Sequence, residues 1–145
     1  MRLKAALVLL AHVLAFCLSA TAAEAAAEKI EMQSNLLEEA KGEALIEEAA
    51  ADTREITIRV ENLVPDSVFT VWFVNERPVV DIMGVGEGAN SFRTDSDGNG
   101  VFSATVSSGE LEDWQKLEVA YHPEGDPRKL ANLHIALIAE LKEAP

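Results

Sequence analysis

Residues 68–74 read Val-Phe-Thr-Val-Trp-Phe-Val, an unbroken run of β-branched and aromatic side chains. A strand that is apolar on both faces belongs in the middle of a packed sheet. This segment therefore dictates a β-domain covered on both sides, and Trp72 within it is expected in the core. A second strand is equally legible. Ile56, Ile58 and Val60 alternate with Thr57, Arg59 and Glu61, the period-two pattern of a half-buried strand. Between the two, Asn62-Leu63-Val64-Pro65-Asp66-Ser67 has the chemistry of a connecting turn.

Further strands are expected at Val79–Ile82, short and within the mostly loop segment Arg77–Asn90, and at Ser91–Thr94, Val101–Val106 and Trp114–His122. The polar stretch Asp95-Ser96-Asp97-Gly98-Asn99-Gly100 lies between two of them, so those two read as a β-hairpin. Ser107–Asp113 is a polar bridge, and Pro123-Glu124-Gly125-Asp126-Pro127 is a turn. The last apolar segment supports two readings. Leu130, Leu133, Leu137 and Leu141 fit a helical stripe, whereas Leu133, Ile135, Leu137, Ala139 and Leu141 fit strand alternation. The strand is favoured, because one isolated helix would need an apolar sheet face to cover. About seven short strands at intervals of roughly 8–14 residues imply an all-β, immunoglobulin-like two-sheet β-sandwich over residues 43–145.

The N-terminus carries different information. Arg2 and Lys4 precede an apolar run from Ala5 to Leu18 and the small residues Ser19-Ala20-Thr21-Ala22-Ala23, the order of a secretory signal peptide. The apolar run is shorter than the roughly 20 residues a spanning helix needs. Residues 1–23 are therefore expected to be removed after Ala22 or Ala23, leaving about 122 residues in the periplasm or outside the cell with no integral membrane segment. Residues 24–42, rich in Ala and Glu, are expected as a lead-in with loose helical spacing. Cys17 is the only cysteine; Phe16 replaces the small residue that a lipidation motif places before it, and cleavage removes it. The mature domain then depends on an ordinary hydrophobic core, which its length can supply.

Charge bounds the partners. Without Arg2 and Lys4, ten cations face 25 carboxylates, a net charge of −15. Such a surface repels phosphate backbones and has no basic cluster to offset it, so nucleic acid is excluded as a partner. A protein or small ligand outside the cytoplasm is the expectation.

Several residue groups are candidates for chemistry. Asp95, Asp97 and Asn99 match the first half of a calcium loop, with Gly100 at the sixth place, but Val106 stands where a closing bidentate Glu is required. They are candidate calcium ligands in what reads first as a structural turn. His122 and His134 are too few for a zinc or copper centre in a chain without cysteine after cleavage. Tyr121, His122, Glu124 and Asp126 gather polar groups on one connection, and with the glycine-rich loop Gly84–Gly88 form the candidate ligand-binding region. None of the serines sits in a nucleophile-elbow pattern. Trp72 and Trp114 would make a stacking platform if exposed together, although Trp72 is expected in the core.

Three stretches together resemble a group of uncharacterised exported bacterial proteins with a leader and one small β-sandwich domain. They are Asn62–Phe73, Thr94–Gly100 and Tyr121–Pro127, which together span 66 residues. The resemblance implies fold and export and brings no activity. The expected function is an exported binding or structural module without enzymatic activity or cofactor. A small secreted enzyme with its site on the His122–Asp126 loop is one alternative, and a calcium-stabilised acidic adhesion module is another.

Overall fold

The computed structural model describes residues 27–142, so the signal sequence and Cys17 lie outside the described residues. The described residues form nine strands: β1 (Glu28–Ser34), β2 (Lys41–Ala50), β3 (Thr53–Glu61), β4 (Val68–Asn75), β5 (Asp81–Gly84), β6 (Ser91–Arg93), β7 (Gly100–Ser107), β8 (Lys116–His122) and β9 (His134–Glu140). A short helix, α1 (Ser108–Glu112), follows β7 and is capped by the Ser107 hydroxyl, which accepts from Glu110 N at 3.0 Å. No helix among the described residues is long and apolar enough to cross a membrane.

All strands join one antiparallel sheet in the order β5-β4-β8-β9-β1-β2-β3-β7, with β6 pairing the same edge of β4 as β5. The sheet curls on itself through β1. Residues 28–32 of that strand pair with β2, and Gln33 and Ser34 pair with β9. Gly42 sits at this corner because a Cβ there would lie 2.6 Å from Leu137 Cδ1. The Ala/Glu-rich segment expected as a lead-in with helical leanings thus supplies β1 and the start of β2. Ile30 and Met32 alternate toward the core, while its charged residues stay outside.

The core lies inside the curl. Ile56, Ile58 and Val60 of β3 face inward as their alternation predicts, opposite Phe69, Val71 and Phe73 of β4 and Leu117 and Val119 of β8, and all are buried. Phe73 stacks on buried Trp114 at 5.6 Å, and Phe69 stacks on Phe92 at 5.6 Å. These contacts fill the two ends of β4's inner face.

Two expectations are corrected here, and a third holds with one interruption. The strands flanking Asp95–Gly100 do not form a hairpin: β6 pairs with β4 and β7 with β3, so the turn carries the chain across the core. Trp72 is not in the core. It points from β4 to the outer face with Thr70 and Val74, and is only half-buried. The last segment is a strand, but its alternation is interrupted. Val119 pairs with Leu137 and Ala120 with Ile135, leaving Ala136 as the extra residue of a β-bulge. Leu137 therefore faces inward while Ile135 turns outward.

Candidate functional site

The site is built on the outer face of β4, β8 and β9. Alternation in β4 brings Thr70, Trp72 and Val74 to this face, and alternation in β8 brings Glu118, Ala120 and His122. The β9 bulge adds Ile135. The connection 123–133 then folds back over one end of the face, while β5 brings Ile82 opposite Val74 at the other side. Trp72, Val74, Ile82, Glu118, Leu130, Leu133 and Ile135 line an open depression of about 260 Å³. Six of these seven residues are apolar, and the single charged group is Glu118.

A chain of hydrogen bonds fixes the indole. Trp72 Nε1–H donates to Thr70 Oγ1 at 2.7 Å, and the Thr70 hydroxyl lies 2.7 Å from His122 Nε2. His122 Nδ1 lies 3.2 Å from the Lys129 carbonyl oxygen, which only accepts. In the neutral imidazole Nδ1 therefore carries the proton, Nε2 accepts, and the Thr70 hydroxyl donates to it. Every link has one donor and one acceptor. Thr70 and His122 are 0% and 3% exposed, so this hydroxyl–imidazole pair is sealed beneath the face and serves to hold Trp72 and the loop. Thr70→Val keeps the shape but removes both bonds of the hydroxyl. It should cost about 1–3 kcal/mol, measured by urea unfolding, and shift the Trp72 indole N–H resonance.

The residues expected to bind a ligand together are separated by the pleat and by the loop's own bonds. Tyr121 lies on the inner face, 5.3 Å from the Phe69 ring, while its neighbour His122 lies on the outer one. Glu124 accepts from Lys129 Nζ at 2.8 Å and from Asn132 Nδ2 at 3.3 Å. Those bonds, Lys129 first, hold its carboxyl below the ordinary range and raise the Lys129 ammonium. Asp126 accepts from the backbone N–H of Arg128 at 3.0 Å and from its Nε at 3.3 Å, which lowers its pKa likewise. Glu124 and Asp126 thus tie the connection to itself and shape the rim of the depression. The glycine-rich loop lines the β4 edge instead, with the Val85 N–H donating to Val71 O at 3.1 Å.

The candidate calcium ligands form a turn. Asp95 Oδ1 accepts from Asp97 N and Asn99 N, each at 2.9 Å, and Gly98 takes φ +79°. Among the described residues no three His, Cys, Asp or Glu side chains are grouped to hold a metal ion.

A larger depression of about 470 Å³ lies by the β1 corner, lined by Glu31, Lys41, Glu43, Arg59 and Glu61 with Met32, Ala40 and Gly42. Its charges are mixed in sign and Glu43 is paired with Lys29 at 2.5 Å, the character of a solvated surface. Ligand sites are predominantly apolar with few polar groups, which favours the Trp72 depression.

Nothing in the sequence marks Glu118, Leu130, Leu133 or Ile135 as site residues. The signal for Trp72 and Thr70 is present in the alternation of β4, where Thr70 marks the outward register, but the Ala136 bulge leaves no such mark. No family model, curated protein or solved structure matches this chain.

Proposed function

We propose that the protein is an exported, non-enzymatic binding module whose ligand seats an apolar body in the Trp72 depression. The observation that carries this reading is the depression itself: a half-buried tryptophan with a fixed indole, surrounded by Val74, Ile82, Leu130, Leu133 and Ile135. Aliphatic walls of this kind normally face inward in a small β-domain. Leu130 and Ile82 are instead 51% and 54% exposed on its rim, and clustered exposed apolar groups mark binding sites.

The same reading takes the curled sheet as an immunoglobulin-like, two-sheet sandwich. The pairings β2–β3 and β3–β7 parallel the A–B and B–E pairs of that fold, and β4–β8 and β8–β9 parallel C–F and F–G. The strand β1 is an addition that joins the two layers, and β6 stands at the β4 edge where a D strand would lie beside β7. Export is supported by the signal-like order of residues 1–23, and kinship with the exported bacterial sandwich proteins by the three motifs quoted above.

Titration with hexan-1-ol, a neutral aliphatic probe, tests the binding reading. The two indole N–H resonances of Trp72 and Trp114 provide the readout. A saturable shift of the Trp72 signal, with Trp114 unmoved and the effect suppressed by Ile82→Asp, is the expected result. Equal movement of both, or of neither, contradicts it.

A further inference from the structure

The Trp72 depression contains one group that apolar walls do not explain. Glu118 stands directly opposite Trp72 across the β4–β8 pairing, on the same face and lining the same space. Residues opposite one another in this way have Cβ atoms about 4.5–5.5 Å apart, so a group resting on the indole lies within reach of the carboxylate. We propose that this depression binds a small alkylammonium ion, its charge held between the Glu118 carboxylate and the Trp72 ring and its aliphatic body against Ile82, Leu133 and Ile135. The inference rests on the binding reading above and names the class of ligand.

Among the described residues no side chain pairs directly with the Glu118 carboxylate, and Lys116 acts on it only through space. Lys116 lies on the same face of β8 but is bonded to Glu76 at 2.9 Å and to Glu140 at 3.4 Å. Glu118 joins none of the ion pairs among the described residues. Desolvation by the apolar walls pushes its carboxyl above the ordinary range; Glu76 and Glu140 push the same way and Lys116 opposes them. A carboxylate withdrawn from water without a partner is unfavourable, and a cation entering the depression relieves that cost.

Three further observations select this cation chemistry. The indole is locked in one orientation by the Thr70–His122–Lys129 chain, and a fixed aromatic ring attracts an organic cation without further ordering. One carboxylate among aliphatic side chains offers a bare metal ion too few oxygens, since calcium takes about 6–8. The molecule carries 25 acidic against 12 basic residues, a field that concentrates cations and repels anions. The depression, about 260 Å³ and open to solvent, has room to seat a short alkyl chain beside the indole.

Calorimetric titrations at pH 7 with hexylammonium, hexan-1-ol and hexanoate test the proposal. Hexylammonium should bind about tenfold more tightly than hexan-1-ol, and hexanoate should not bind measurably. Glu118→Gln, which keeps the shape and removes the desolvated charge, should melt no lower than wild type. It should reduce hexylammonium affinity to that of hexan-1-ol. In the wild type, the hexylammonium advantage should fade on acidification at a pH above that of an ordinary exposed glutamate. If the two neutral and cationic probes bind alike and Glu118→Gln changes neither, the ammonium inference is wrong and the apolar binding face stands. Binding of none of the three overturns both.

Discussion

Phe73→Ala should destabilise the protein by about 3–5 kcal/mol, the usual loss for truncating a buried Phe, whereas Trp72→Ala should cost about half of that or less. The two residues are adjacent, and the pleat separates them. Phe73 has no exposed surface and stacks on Trp114, so its removal opens a cavity between β4 and the end of the core. Trp72 is half-buried on the outer face, and its removal mainly enlarges an existing depression while breaking one hydrogen bond to Thr70. Urea unfolding followed by circular dichroism reads both losses. Equal losses would mean that the Trp72 ring is part of the core and is not available to a ligand.

The second large effect belongs to the turn that carries the chain across the core. Gly98 has φ +79°, and a Cβ there would run into the Leu63 carbonyl oxygen, while the Leu63 N–H donates to Gly98 O at 3.0 Å. Gly98→Ala should cost about 1–3 kcal/mol from backbone strain alone, and the collision with a backbone that cannot rotate away adds to it. Asp97→Asn, on the exposed side of the same turn, should change stability by less than about 0.5 kcal/mol, with calcium or with chelator. The pair of variants, melted with and without calcium, separates the turn's two readings: a structural turn responds to Gly98 alone, and a cation site responds to Asp97 and to calcium.

Where one physical rule dominates, the sequence reading and the structure agree. Ile56, Ile58 and Val60 alternate and face the core, and Asp95–Gly100 makes a tight turn because Asp95 can bond the backbone ahead of it and Gly98 can take a positive φ. The differences arise where a residue's surroundings are set by distant segments. The turn chemistry at 95–100 says that the chain reverses, but not whether the flanking strands pair with each other, and here each has a better partner in β4 or β3. In β1 only Ile30 and Met32 alternate, too few positions to distinguish a strand from a loosely helical segment.

The candidate site was the least legible part. The run at 68–74 predicts apolar covering on both faces, and its inner residues obey. Its outer face is covered only in part, by the 123–133 connection, so Trp72 is left at a rim. A single extra residue, Ala136, turns Ile135 outward while Leu137 stays inside, although both share one register in a regular strand. Glu124 and Asp126 drew attention as polar loop residues, yet their carboxylates bond within the loop. Glu118, hidden among the outward positions of β8, becomes distinctive only when Trp72 and Leu133 are brought beside it.

Intermolecular nuclear Overhauser effects between hexylammonium and the protein locate the bound ligand by contact. The binding account predicts cross-peaks from the methylene chain to Trp72, Ile82, Leu133 and Ile135, which line one depression on the outer face of the sheet. Cross-peaks instead to Met32 and Ala40 beside Lys41 and Arg59, in the charged depression at the β1 corner, would contradict it.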